Sequence, residues 1–377
     1  MRNTALLFAS IALTVLCWGM YGPVLRTGQD GMSTIPGEVA RLRPFVCVGL
    51  AYFLIGVIVP SVWLNLRGEK GDWTLRGIVW SLAGGALGAI GALGIILAFT
   101  FGGRPIYVMP LVFGGAPVIN AFLTIYLAGR VKEIGPLLLA GLIIVILGAV
   151  VVLMSAPHGV SPTTADAAAQ VDAAKTASSA ATSTAPQGGL WGWTLRLLSI
   201  ALAIVSWGAY GPVLHKGQAG MYHSRMRPLI CVGLAYFVIA VVVPYFFLGE
   251  MGEDSTYRSM GTIWSLMAGA FGAAGALGII LAFNSGGRPI FVMPLVFGGA
   301  PVVNTFFTIA TRSQWNEISP FFWAGLILVV AGSAMVLVLA PRGEKSRESR
   351  AESREPEDAI QPQAVSNDAS NASVFPE

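Results

Sequence analysis

The chain has 377 residues, of which 55% are hydrophobic and only 11% charged, and its mean hydropathy is +0.70. Soluble domains carry about 25% charged residues, so this composition excludes an ordinary water-soluble protein. The formal net charge of +4 is spread over loops and the C-terminal tail rather than gathered in a basic patch, so nucleic acid is not an expected partner. The expected surroundings are a lipid bilayer.

Apolar stretches close to the roughly 20 residues that cross a bilayer recur along the whole chain. Five lie in the first half, at residues 4–25, 44–65, 77–100, 105–127 and 134–155. Five more lie in the second half, at residues 192–213, 228–248, 261–283, 289–310 and 319–340. These segments are apolar on every face and lack the alternation of a barrel strand. The sequence therefore predicts an all-α integral membrane protein with ten transmembrane helices.

The first apolar stretch is similar to a secretory signal, because Arg2 precedes it. No small-residue cleavage site follows, and the pattern recurs inside the chain as LRLLSIALAIVSWGAY, so we interpret it as a membrane helix. The cysteines Cys17, Cys47 and Cys231 have neither a metal-site spacing nor the pattern of a disulfide framework. They are expected to pack as small residues, and neither a metal nor a bound cofactor is expected.

The two halves of the sequence repeat one another. WGMYGPVLRTGQDGM at 18–32 matches WGAYGPVLHKGQAGM at 207–221, an offset of 189 residues that becomes 184 after an insertion in the first copy. Between 77–125 and 261–309, 37 of 49 positions are identical. We call two residues at matching positions counterparts. Because each copy has five spans, an odd number, the expected fold is two inverted five-helix repeats.

The composition divides the chain into four parts. The first repeat covers 1–157 and the second covers 190–341. Residues 158–189, rich in Ala, Ser and Thr, are predicted to be a linker, and 342–377, which mixes both charge signs with Ser, Pro and Gln, a disordered charged tail. With the N-terminus inside, 15 of the 23 Lys and Arg residues lie on the inner side, which predicts two cytoplasmic termini in a plasma (inner) membrane.

The fourth span of each half contains proline and glycine. GGRPIYVMPLVFGGAPVINAF at 102–122 returns as GGRPIFVMPLVFGGAPVVNTF at 286–306. Proline removes a backbone donor, and a freed carbonyl inside the membrane is tolerated only where a neighbouring helix or a cavity satisfies it. Interrupted spans at matching places in two halves point to the binding site of a transporter, and a packing kink is the alternative. The candidates are Pro110, Gly114, Gly115, Pro117, Pro294, Gly298, Gly299 and Pro301.

Polar and aromatic residues complete the candidate substrate site. Asn120 and Asn304 follow the interruptions by one turn, and their amides could bind substrate or repair the broken backbone. Arg104 and Arg288 open the fourth spans, where they could pair with an anionic group or extend to the membrane surface. In the WGxYGP motifs, where the first helix of each half is expected to loosen, aromatic residues could anchor at the membrane interface, form a gate or stack on substrate. These residues are Trp18, Tyr21, Trp207 and Tyr210.

Other features bear on packing and chemistry. Arg43 and Arg227 each precede a proline that opens a second span, and they are expected to set the topology or to anchor lipid headgroups. The third spans carry small residues, GGALGAIGALG and GAFGAAGALG, at spacings that permit close helix contact.

No Asp, Glu or His falls securely within a span, so proton coupling through a buried carboxylate is not expected. No nucleophile and base pair is evident either, so an enzyme is not expected.

Together these features resemble the drug/metabolite transporter superfamily, the group with EamA-like domains. The resemblance is carried by Trp-Gly late in the first helix, an Arg opening the second, the small-residue third helix, GGAPVIN or GGAPVVN in the fourth, and AGLIIVILG or AGLILVVAG in the fifth. It implies a ten-helix fold with a central cavity that moves small metabolites. The Gly-Glu usual in the family after the fourth helix is replaced by GRVKE and SQWNE, and the long Ala/Ser linker is a further departure.

The resulting hypothesis is a secondary transporter that moves a small polar solute across the membrane by alternating access. The alternative is a non-transporting membrane scaffold or assembly subunit with the same fold, because the residues expected for coupling are missing. A homodimeric assembly is left open.

Overall fold

All secondary structure in the described part of the chain is helical. The computed structural model describes residues 2–33, 39–127, 129, 135–155, 190–247, 256–312 and 318–339. The linker expected at 158–189 and the tail expected at 342–377 lie outside the described residues.

Within these ranges, five helices belong to each half. The first half contains α1 (Arg2–Met32), α2 (Leu42–Arg67), α3 (Leu75–Thr100), α4 (Pro105–Leu127) and α5 (Pro136–Ser155). The second half contains α6 (Leu190–Gly220), α7 (Met226–Phe237, continued by Val238–Val242 and Val243–Phe247), α8 (Ser259–Asn284), α9 (Pro289–Arg312) and α10 (Pro320–Leu339). Both α2 and α7 include a π-helical turn, and the two turns, Leu54–Ile58 and Val238–Val242, are counterparts.

Seven of the described helices are long and apolar enough to cross a membrane, namely α1 to α4 and α6 to α8. The apolar parts of the other three are shorter, at Pro136–Val152, Leu295–Thr311 and Pro320–Gly332. The predicted class of helical membrane protein is confirmed to this extent. The number of ten spans stays a prediction.

The expected interruptions do not end any of the helices concerned. α1 runs through Pro23 and α6 runs through Pro212, so the prediction that the WGxYGP motifs loosen the first helix of each half is wrong. α4 and α9 likewise continue without a break through their prolines. A proline inside a helix removes one backbone hydrogen bond and bends the helix, while the remaining bonds and the neighbouring helices keep the segment helical.

Helices of one half pack mainly against helices of the other. α1 packs on α8 and α9, and its counterpart α6 packs on α3 and α4. α2 lies against α7 and α8, while α5 lies against α10. Glycine permits the closest approaches: a Cβ added to Gly31 would lie 3.0 Å from Cα of Gly261, and a Cβ added to Gly220 would lie 3.0 Å from Cα of Gly77. The contacts therefore occur in reciprocal pairs, and residues of both halves form one core.

Candidate functional site

The aromatic residues of the two WGxYGP motifs meet one another inside the helix bundle. The indoles of Trp18 and Trp207 stack with ring centroids 5.9 Å apart. Tyr21 and Tyr210 each make an edge-to-face contact with the tryptophan of the other half, also at 5.9 Å. All four side chains are buried, and Trp18 lies midway along the candidate span Thr4–Met32. Burial at mid-span contradicts the alternative that these residues anchor at the membrane interface.

Small residues in α3 and α8 accommodate the two indoles. Nε1 of Trp18 donates a hydrogen bond to the carbonyl oxygen of Gly272 at 3.3 Å, and Nε1 of Trp207 donates to that of Gly88 at 3.1 Å. Gly275 and Gly91 permit this approach, since a Cβ added to them would clash with the indoles of Trp18 and Trp207, respectively. The small-residue stripes of α3 and α8 thus serve the aromatic site as well as helix packing.

Four further aromatic residues, which the sequence analysis did not single out, complete what we call the aromatic cluster. The rings of Tyr52 and Tyr236 lie face to face with centroids 3.5 Å apart and planes 3° from parallel. Phe113 and Phe297 are 6.1 Å apart and also contact the indoles. Each pair joins counterparts. The sequence offered a way to find these four residues, because the segments that contain them, CVGLAYF and MPLVFGGAPV, are identical in both halves.

The aromatic cluster surrounds a narrow cavity. Its constricted interior leaves room for about one water molecule. Among the described residues, its lining consists of four tyrosines, two tryptophans, Gly88 and Gly272. The hydroxyls of Tyr21 and Tyr210 are buried and have no hydrogen-bond partner among the described residues. A buried hydroxyl without a partner costs about 1–3 kcal/mol, so the cavity presents two unused hydrogen-bonding groups.

Asn120 and Asn304 link α4 to α9. Nδ2 of Asn120 donates to the carbonyl oxygen of Pro289 at 3.4 Å, and Nδ2 of Asn304 donates to that of Pro105 at 3.1 Å. Both side chains are fully buried, and neither is among the residues that line the cavity. The bond that Pro110 removes involves the carbonyl four residues before it, so these amides do not replace the donor lost at that proline. Each instead ties its own helix to the first residue of the other.

The predicted glycines of α4 and α9 are not among the residues that line the cavity, and three of the four face a neighbouring helix. A Cβ added to Gly114, Gly115 or Gly299 would lie within 2.9 Å of a side chain in α10, α6 or α1, respectively. At Gly298, no described atom lies within 4 Å of the added Cβ. The four predicted prolines lie inside the same two helices: Pro110, Pro117, Pro294 and Pro301.

Arg104 and Arg288 lie in the turns before α4 and α9, outside the cavity lining. Arg104 is half-buried and Arg288 is exposed. Two arginines that the sequence analysis did not single out, Arg26 and Arg196, donate to backbone carbonyls at the C-terminal end of α3, at 3.1 and 2.8 Å. The counterpart of Arg26 is His215, so the two ends of the bundle differ in chemistry although the aromatic cluster between them is nearly symmetric.

Arg43 and Arg227 are not exposed headgroup anchors, which corrects that alternative, while their part in setting the topology stays a prediction. Arg43 is 2% exposed and donates from Nη1 to the carbonyl oxygen of Thr256. Nη1 of Arg227 donates to Oγ of Ser224 at 3.3 Å and lies 4.0 Å from the carboxylate of Glu69. Each arginine therefore ties the start of its helix to a segment of the other half, and burial in that contact keeps the guanidinium away from lipid.

Glu69 caps α7 from the loop between α2 and α3. Its carboxylate accepts hydrogen bonds from Oγ of Ser224 at 2.7 Å and from the backbone nitrogens of Arg225 and Met226 at 2.8 and 3.1 Å. The first turn of a helix has unpaired N–H groups and favours a negative charge. A carboxylate of the first half thus holds the start of a helix of the second half.

Comparison with known proteins identifies a shared fold. No protein-family model matches the chain, and no curated protein matches it. Sixteen solved chains are similar in structure. One of them, a crystal structure, superposes with a TM-score of 0.54 at 18% sequence identity, and the match covers 90% of this chain and 97% of the other. At this identity the likeness concerns the fold alone.

Proposed function

We propose that the protein is a secondary transporter that moves a small polar metabolite across the membrane by alternating access. The aromatic cavity is the observation that carries this proposal, because it is built where counterpart residues of the two halves touch. Secondary transporters with internal repeats bind substrate near the bilayer midplane, at the interface of the repeats. Rocking of one half against the other would open such a cavity to one side of the membrane at a time.

We infer that ten spans form two inverted five-helix repeats. The helices with shorter apolar parts are still long, since α5 and α10 have 20 residues each and α9 has 24. At about 1.5 Å per residue, a 20-residue helix is about 30 Å long, which equals the thickness of the hydrocarbon core. The reciprocal contacts, such as the bonds of Trp18 and Trp207 to glycine carbonyls, support a two-fold relation between the halves.

The orientation and the family are part of the same proposal. The distribution of Lys and Arg favours both termini on the cytoplasmic side of a plasma (inner) membrane, with 158–189 outside. Trp18 and Trp207, which line the cavity, belong to the Trp-Gly motifs by which the chain resembles the drug/metabolite transporter superfamily. Their place in the cavity supports EamA-like membership.

The predicted site residues take different roles in this transporter. The aromatic residues of the WGxYGP motifs form the substrate cavity. Asn120 and Asn304 support it indirectly, because they hold together the two proline-containing helices. Arg104 and Arg288 lie at opposite mouths, where a positive charge would attract an anionic solute only at long range.

Thiol labelling in membrane vesicles tests alternating access without a known substrate. In a variant without the native cysteines, Tyr21→Cys and Tyr210→Cys each place one thiol in the cavity. A charged, membrane-impermeant thiol reagent should label either variant from both faces of the membrane, in right-side-out and in inside-out vesicles. Tyr222→Cys is the control, since this residue is 68% exposed after α6 and should be labelled from one face only.

Labelling of both cavity thiols from one face only, or from neither, in protein that is otherwise folded would contradict alternating access. That result would favour the non-transporting scaffold.

A further inference from the structure

We propose that the aromatic cavity binds an uncharged solute that carries several hydroxyl groups. The inference rests on the proposed transport function and narrows its substrate to one chemical class.

The described lining of the cavity offers no charged group to an ion. In the described part of the chain, only tyrosine, tryptophan and glycine line it. The acidic residues described are Asp30, in the last turn of α1, and Glu69 and Asp72, in the loop between α2 and α3. A charged solute transferred to a low-dielectric site without an opposite charge pays a large desolvation penalty. An anion therefore finds no partner of opposite charge among these lining residues, and a cation finds only the faces of the aromatic rings.

The buried hydroxyls of Tyr21 and Tyr210 favour a ligand that forms hydrogen bonds. The indole N–H groups of Trp18 and Trp207 already bond to Gly272 and Gly88, so they are not available to a solute. The hydroxyls of Tyr21 and Tyr210 are available, and each can donate and accept. A quaternary ammonium group, the usual ligand of an aromatic cage, has neither a donor nor an acceptor and would leave both hydroxyls unsatisfied. A polyhydroxylated solute can satisfy both.

The ring faces favour a flat, cyclic solute. An aromatic face carries partial negative charge and attracts polarised C–H groups. A sugar ring or a cyclic polyol has C–H groups on its faces and hydroxyls around its rim. The C–H faces of such a ring would lie against the aromatic rings of the cavity, and its hydroxyls would bond to those of Tyr21 and Tyr210. These two tyrosines are counterparts, so one hydroxyl comes from each half.

The cavity is constricted in this structure. Its interior leaves room for about one water molecule, so a solute can bind only after the cavity widens. Tyr52 and Tyr236 must then separate, since their rings are in stacking contact at 3.5 Å in the wall of the cavity.

Thermal unfolding of the purified full-length protein in detergent tests this assignment. The neutral probes are D-glucose, D-xylose and myo-inositol, the cationic probe is tetramethylammonium and the anionic probe is D-gluconate. We expect a saturable rise in melting temperature with at least one neutral probe and none with the two ions, because a ligand that binds only the folded state stabilises it. Stabilisation by tetramethylammonium or gluconate in place of the neutral probes would overturn the proposal, and so would the absence of any neutral binder.

Two hydroxyl deletions locate the binding site. Tyr21→Phe and Tyr210→Phe should each weaken the apparent affinity for the neutral probe by about two- to tenfold, the usual range for one hydrogen bond. Without ligand they should melt at or above the wild-type temperature, because each removes an unpaired buried hydroxyl. Tyr245→Phe, at a position 74% exposed, is the matched control and should bind as the wild type does. If Tyr21→Phe and Tyr210→Phe both bound the neutral probe with wild-type affinity, the aromatic cavity would not be its binding site.

The thiol-labelling experiment keeps this inference separate from the transport proposal. If the cavity thiols are labelled from both faces but no neutral probe binds, the transport proposal stands and only the substrate class is wrong. If a neutral probe binds but the thiols are not labelled from both faces, the protein binds the solute without transporting it.

Discussion

Tyr52 and Tyr236 occupy the same position in the two halves and stack on one another, with ring centroids 3.5 Å apart. A residue can touch its own counterpart only where the two halves meet, so this pair marks that boundary. The π-helical turns Leu54–Ile58 and Val238–Val242 begin two residues after Tyr52 and Tyr236, respectively. π-Helical turns are rare in proteins overall, but those that occur are often found at functional sites. Their presence on both sides of the stacked pair agrees with a cavity that must open here.

Gly88→Ala and Gly272→Ala test the packing of this tyrosine pair. A Cβ on Gly88 would lie 2.9 Å from the ring of Tyr236, and a Cβ on Gly272 would lie 2.7 Å from that of Tyr52. Each substitution should lower the free energy of unfolding by about 1–3 kcal/mol through overpacking, measured by thermal unfolding in detergent. Gly298→Ala is the matched control and should be neutral or slightly stabilising. Equal melting of all three variants would show that the rings are not confined in this way.

Trp18→Phe and Trp207→Phe test the bonds from the indoles to α8 and α3. Each removes one N–H donor and leaves the carbonyl of Gly272 or Gly88 without this partner, so we expect a loss of about 1–3 kcal/mol in unfolding free energy. The two losses should be similar, because the environments are reciprocal. Trp191→Phe, at a position 62% exposed, should melt like the wild type. If Trp18→Phe or Trp207→Phe melted at the same temperature as Trp191→Phe, the indole N–H of that residue would not form a stabilising hydrogen bond.

Asn120→Leu and Asn304→Leu distinguish a helix link from a substrate contact. Each should lower the free energy of unfolding by about 1 kcal/mol through loss of the bond to Pro289 or Pro105. Affinity for a bound neutral probe should stay at the wild-type value, since neither amide lines the cavity. Unchanged stability together with lost ligand binding would reverse the assignment and make the asparagines substrate ligands.

Asn304→Asp sharpens the same test. It replaces the amide nitrogen with a carboxylate oxygen that faces the carbonyl of Pro105, so it should destabilise more than Asn304→Leu does. Thermal unfolding of the two variants side by side gives the comparison. An aspartate variant as stable as the leucine variant would mean that the amide does not donate to this carbonyl.

Glu69→Ala tests the cap that the first half places on α7. It removes the acceptor of three hydrogen bonds, two of them from backbone nitrogens at the start of the helix, and should destabilise by about 1–3 kcal/mol. Asp72→Ala is the control, because Asp72 lies in the same loop and is exposed. Equal melting temperatures for the two alanine variants would contradict a capping role.

The sequence by itself determined the helical class, the internal repeat and the approximate position of each helix. The fourth span predicted at 105–127 coincides with α4, Pro105–Leu127, and the eighth predicted at 261–283 lies within α8, Ser259–Asn284. An apolar run that enters lipid must satisfy its own backbone hydrogen bonds, which leaves the helix as the local solution whatever its neighbours are. The aromatic candidates of the WGxYGP motifs were recognisable for a related reason, since they recur in both copies.

Only the tertiary structure decided which residues form the cavity. Trp18 meets Trp207, and Asn120 reaches the carbonyl of Pro289, across sequence separations that no local pattern describes. The prolines expected to break helices lie within continuous ones, because the remaining backbone bonds and the packing of adjacent helices offset a single lost bond. A pattern along one helix shows what that helix can bury, but the partner of each side chain depends on how all the helices pack together, and that is a property of the folded bundle.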